Sequence, residues 1–136
     1  MAPEHALLPP LIEADVVPDD IDLLVLFGSR AKGQASEASD WDLGVLLHPS
    51  QEQPLRIFAL DPLLARLLGC SSDAIDVVDL DHSSYLLQRV VAEEGVLLFE
   101  RTPGLFLTFT SRAIRQWADW CRREEKLQRE RLTALA

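Results

Sequence analysis

Two five-residue apolar runs, 23–27 (Leu-Leu-Val-Leu-Phe) and 43–47 (Leu-Gly-Val-Leu-Leu), bracket a polar stretch that opens Gly28-Ser29-Arg30-Ala31-Lys32-Gly33 and closes Asp40-Trp41-Asp42. Runs this short, apolar and bounded by polar residues or glycine predict β-strands. A Gly-Ser pair directly after a strand can turn backbone amides and a hydroxyl toward phosphate oxygens. Asp40 and Asp42 open the second strand, and the period-2 alternation of side chains puts both carboxylates on one face. Their Cα atoms sit roughly 6.6 Å apart, so the carboxylates can converge on one divalent ion or an ion pair. A phosphate cradle beside a metal site is what moving a nucleotidyl group requires.

The rest of the chain supplies the other elements. Segments 74–80 and 96–100 predict two further strands. Segment 54–68 predicts a helix ending at Gly69, with Pro62 either kinking it or restarting it from Asp61 as N-cap. Segment 81–94 predicts a second helix, capped by Asp81 and stopped at Gly95. Thr102-Pro103 reads as N-cap and first turn of a long last helix, about 103–132, with Phe106, Phe109, Ala113, Ile114, Trp117 and Trp120 at helical spacing. The proline-rich first twenty residues support only a short helix around 11–14. This order predicts one α/β (α+β) domain over 1–136, with helices packed on a small mixed β-sheet.

Composition narrows the function classes. A chain of 136 residues with 48% hydrophobic content builds one core, and no apolar run is long enough to span a membrane. No basic, apolar leader opens the chain, so it reads as cytoplasmic. Cys70 and Cys121 form neither a metal motif nor a disulfide framework, and His5, His48 and His82 have no ligand spacing. The first 100 residues carry 5 basic against 18 acidic side chains, and the last 36 carry 8 against 4. So acidic a body repels long nucleic acids and favours a basic protein partner.

Two phosphate or metal motifs are excluded. The Gly28–Gly33 spacing matches a P-loop, but Gln34 and Ala35 stand where Lys and Ser/Thr must follow. Asp40 and Asp42 do not open a calcium loop, because Gly44 falls one place early and Gln51 replaces the bidentate Glu. Instead, Gly28-Ser29, ten residues and Asp40-Trp41-Asp42 resemble the DNA polymerase β-type nucleotidyltransferase superfamily. The run from Phe27 to Gly33 and on to Leu43 is similar to its minimal nucleotidyltransferase (MNT) branch. Ala74-Ile75-Asp76-Val77-Val78-Asp79-Leu80 is similar to that branch's next strand, which carries a third carboxylate. The resemblance spans about residues 21–100, where the core of the fold is expected.

The resemblance implies roles residue by residue. Gly28 lets triphosphate approach the backbone, and Ser29 donates to the β- or γ-phosphate, with Arg30 and Lys32 as further phosphate contacts. Asp40, Asp42 and Asp76 hold Mg²⁺, two ions being usual, and Asp76 orients or deprotonates the attacking hydroxyl; Asp79 is its rival. Gly33 serves the turn, and Trp41 packs on the sheet's far face. MNT proteins resemble the antitoxin half of HEPN–MNT toxin–antitoxin pairs, in which AMP passes from ATP to a tyrosine of the HEPN ribonuclease toxin. The chain is too short for a substrate domain of its own, so the acceptor is expected to arrive on that toxin in a hetero-oligomer. One tryptophan of the last helix is expected to face a partner. The alternative is an antitoxin that masks its toxin by binding, with a vestigial site.

Overall fold

The computed structural model describes residues 12–34, 36, 39–49 and 55–135. Strands β1 (Ile21–Phe27), β2 (Trp41–Leu47), β3 (Ile75–Asp79) and β4 (Val96–Glu100) form one sheet in the order β3-β2-β1-β4. β1 is antiparallel to β2 and to β4, whereas β2 and β3 are parallel. A parallel pair needs a crossover, and α1 (Arg56–Leu68) provides it. α2 (Tyr85–Glu94) joins β3 to β4, and α3 (Leu105–Leu135) follows β4. The mixed sheet, its helices and the long last helix agree with the sequence reading.

The sheet is covered on both faces. Leu24, Leu26, Leu43, Val45 and Leu98 pack with Leu60, Leu64 and Ala65 of α1. Leu23, Val25, Phe27 and Leu46 pack on the other side with Val91 of α2 and with Phe109 and Ala113 of α3. Two-sided burial explains why β1 and β2 read as near-continuous apolar runs rather than alternating ones. Arg56 anchors the start of α1 by donating to both carboxylate oxygens of Asp20. Its hydrogen bonds hold the Asp20 carboxyl below its usual range.

The helix ends depart from expectation. The expected onset of α1 at Pro54 lies outside the described residues, and the helix begins at Arg56. It runs through Pro62 without restarting at Asp61. Proline removes the donor to the carbonyl of Phe58, a residue on the solvent side of the helix (73% exposed). α2 is capped by Ser84, whose hydroxyl accepts from the Leu87 amide at 3.1 Å. Asp81 instead lies in a 3₁₀ turn, Leu80–His82, which Asp79 caps by accepting from the Asp81 amide.

At α3 the cap comes from β4. The Glu100 carboxylate accepts from the amides of Gly104 (3.0 Å) and Phe106 (2.9 Å), the task expected of Thr102. Those donors, Phe106 first, hold its carboxyl below the usual range. α3 ends at Leu135, three residues past the expected end, with Leu132 and Leu135 exposed. Trp117 and Trp120 stack at 5.3 Å between ring centroids, and Trp120 is exposed, as expected for one of the pair. Near the N-terminus, the described residues hold a 3₁₀ turn at Ala14–Val16; residue 11 of the expected helix lies outside them.

Candidate active site

Strand register assembles the site at one end of the sheet. Phe27, the last residue of β1, pairs with Asp42, and Asp42 pairs across the parallel ladder with Asp76. Directly paired residues share a face, so the Asp42 and Asp76 side chains project together. Asp40, two residues before Asp42, precedes the strand. Gly28 follows Phe27 with a φ of +76°, and a Cβ there would lie 2.1 Å from Oδ2 of Asp42. Both conformation and space therefore require glycine at this point.

The chain then coils tightly away from β1. The Gly28 carbonyl accepts from the Lys32 amide, that of Arg30 from Gly33, and that of Ser29 from Gln34 at 2.9 Å. Gly33 has a φ of +71°, which gives it the turn role expected. Ser29 is thus held at the head of a compact turn, next to the Gly28 that abuts Asp42.

The carboxylates feel one another. Burial raises the Asp42 pKa, and the charges of Asp76 and Asp40 raise it further. Asp61 of α1 is raised by burial and then by the charge of Asp76. The sequence pattern does not show this influence, because it arises from the packing of α1 against β3. Asp79, the rival of Asp76, is engaged elsewhere: besides capping the 3₁₀ turn, it pairs with Nδ1 of His82 at 2.8 Å. Among the described residues no three His, Cys, Asp or Glu side chains are arranged to hold a metal ion as they stand.

The two basic residues differ. Lys32 pairs with Glu94, at the end of α2, at 3.2 Å, both side chains being well exposed. Arg30 turns back into its own loop, donating from Nε (3.2 Å) and Nη2 (2.8 Å) to the Ser39 carbonyl and stacking 4.2 Å from the centroid of Trp41. This places the Arg30 guanidinium on the loop between β1 and β2, against Ser39 and Trp41. Trp41 packs with the α1-side core, the face opposite Asp42, as its odd position in the strand predicts.

A glycine-floored turn set against paired carboxylates on adjacent strands of a small mixed sheet defines the nucleotidyltransferases of polymerase β type. The chain belongs to that family: the model of "Polymerase beta, Nucleotidyltransferase" matches residues 14–103. It is 37% identical over 100 residues to "Protein adenylyltransferase MntA" of Aphanizomenon flos-aquae (strain 2012/KM1/D3), covering 69% of this chain and 67% of that protein. It is also similar to a solved toxin–antitoxin structure with AMP-PNP (TM-score 0.66, 25% identity, 85% of this chain and 89% of that one). A complex of tri-AMPylated Shewanella oneidensis HEPN toxin with MNT antitoxin shares the fold (TM-score 0.60, 23% identity, 93% and 90% coverage). No helix among the described residues is long and apolar enough to cross a membrane.

Proposed function

We propose that this chain is an Mg²⁺-dependent protein adenylyltransferase that transfers AMP from ATP to a tyrosine hydroxyl of a HEPN-type toxin, and so acts as its antitoxin. The observation that carries the reading is the register that sets Gly28 against Asp42 and Asp42 beside Asp76. Similarity to a protein adenylyltransferase, and to a toxin–antitoxin structure with AMP-PNP, supports the donor and the partner.

Each residue has a task that follows from its place. The Ser29 hydroxyl and the amides of the turn donate to the terminal phosphates of ATP, which Gly28 admits close to the backbone. Lys32 joins them by leaving Glu94, since an exposed ion pair is worth only about 0–1 kcal/mol. Asp40, Asp42 and Asp76 offer the hard oxygen donors that Mg²⁺ prefers, and in binding it their mutual repulsion is relieved. Held by these carboxylates, the cation would supply charge neutralisation at the α-phosphate. Asp76 is exposed on edge strand β3, where a hydroxyl carried by another protein can reach it. It accepts the hydroxyl proton as the oxygen bonds to the α-phosphorus; the bridge from α- to β-phosphate breaks and pyrophosphate leaves.

Incubation with the cognate HEPN protein, Mg²⁺ and labelled ATP tests the reading. The partner is expected to gain AMP, detected as label and as mass on a tyrosine. Absence of transfer, or equal transfer by an Asp40→Ala/Asp42→Ala variant, overturns the enzymatic claim. Rescue of toxin-arrested cells by Asp40→Asn/Asp42→Asn as full as by the parent chain would assign neutralisation to binding alone.

A further inference from the structure

The structure assigns Arg30 a positioning role: its guanidinium is the brace that fixes Asp40, the one carboxylate of the site that strand pairing does not place. The inference rests on the adenylyltransferase reading for its kinetic consequence, but not for the brace itself. Asp42 and Asp76 are set by the sheet, each opposite the other in the β2–β3 ladder. Asp40 lies ahead of β2, at the end of the loop from Gly28. Its backbone direction depends on its neighbours Ser39 and Trp41, and Arg30 engages both. Nε and Nη2 converge on the Ser39 carbonyl at 3.2 and 2.8 Å, and Nη2 also reaches the Ser36 carbonyl at 3.4 Å.

The plane of the same group lies on Trp41, 4.2 Å from its centroid. Trp41 is packed into the α1-side core, so the brace is tied to a rigid part of the molecule. Among its described residues the loop adds short-range support of its own: the Ser39 amide donates to the Ser36 carbonyl, and the Ser36 amide to Oγ of Ser39. One forked, planar cation thus clamps the residues on both sides of Asp40. Lysine cannot reproduce this, because an ammonium neither forks onto a carbonyl nor stacks flat on an indole. A phosphate contact also uses the fork, but it acts on ATP, through the KM, and leaves amide exchange of the nucleotide-free protein unaltered. The two roles therefore separate in the KM and the amide exchange of the Arg30 variants.

The experiment compares Arg30→Lys, Arg30→Ala and Lys32→Ala with the parent chain, by AMP transfer at saturating Mg²⁺ and by amide hydrogen exchange of the metal-free protein. A brace predicts that Arg30→Lys loses about as much kcat as Arg30→Ala, tenfold or more, with the KM for ATP changed less than about twofold. It also predicts exchange at Ser39, Asp40 and Trp41 faster by about tenfold in both Arg30 variants and unchanged in Lys32→Ala. The assignment is overturned if Arg30→Lys keeps the parent kcat, if Arg30→Ala acts through the KM for ATP, or if exchange at these amides is unaltered. It is equally overturned if amides throughout β1 and β2 accelerate to the same extent, since Arg30 would then merely hold the fold. Should the parent chain transfer no AMP, the functional reading falls, while the exchange pattern still decides the brace.

Discussion

Asp42 carries the sharpest conflict in the molecule. It is partly buried under Gly28, faces Asp76 across the ladder and senses Asp40, so its ionised form is disfavoured and its pKa lies above the ordinary carboxylate value. A carboxylic acid whose pKa is raised by folding costs stability at any pH where it is ionised. The penalty fades as pH falls through the raised folded value. Asp42→Asn keeps the shape and removes the charge. In the metal-free protein near pH 7 it is expected to raise the urea midpoint, a gain in unfolding free energy of less than about 1 kcal/mol because solvent screens a partly exposed group. The gain should shrink toward pH 4 and also when Mg²⁺ is added, while AMP transfer is lost throughout. Paired urea titrations at pH 7 and pH 4 check this; a destabilised Asp42→Asn at pH 7 would overturn the claim that its charge costs stability. Stability gained with activity lost is the trade expected where function opposes stability.

At the scale of elements, the strands were legible in sequence and the helix starts were not, for one physical reason. A strand buried on both faces advertises itself as an apolar run, and 96–100 was found to the residue as Val96–Glu100. The register that pairs Asp42 with Asp76 turned the legible Asp40-Trp41-Asp42 spacing into a site, and Asp76 was reachable through resemblance. The influence of Asp76 on Asp61 was not, because it depends on a helix packing against a strand. Helix caps failed because several polar residues compete within a few positions, and geometry alone selects among them. At α2, Asp81 and Ser84 both qualify by type, yet Ser84 holds the Leu87 amide while Asp81 lies in the preceding turn. Ser84→Ala is therefore expected to cost about 1 kcal/mol, with Asp81→Ala costing clearly less. Denaturant midpoints of the two variants measure the difference, and a larger loss for Asp81→Ala would return the cap to the sequence reading.

At the scale of the whole molecule, α3 is two things in one helix. Its first half seals the sheet: Phe109 and Ala113 are buried, and Trp117 stacks on Trp120 with Arg89 of α2 held 5.5 Å over the Trp117 ring. Beyond Cys121 the side chains are almost all exposed, and Leu127, Leu132 and Leu135 face solvent. Helical pairs such as Arg129 with Glu125 at 3.9 Å support that stretch, each worth about 0.2–0.5 kcal/mol. An isolated helix of this length is marginal in water, so its order derives from the packed half to which it is joined. A chain ended after Cys121 should therefore keep its core. Its thermal midpoint is expected within about 3 °C of the parent, with helical ellipticity falling only by the residues removed. The stretch also holds much of the basic excess that distinguishes the end of the chain from its acidic body. A large drop in the midpoint would show instead that the distal half of α3 stabilises the sheet from afar, against the absence of buried side chains in the described stretch from Arg122 onward.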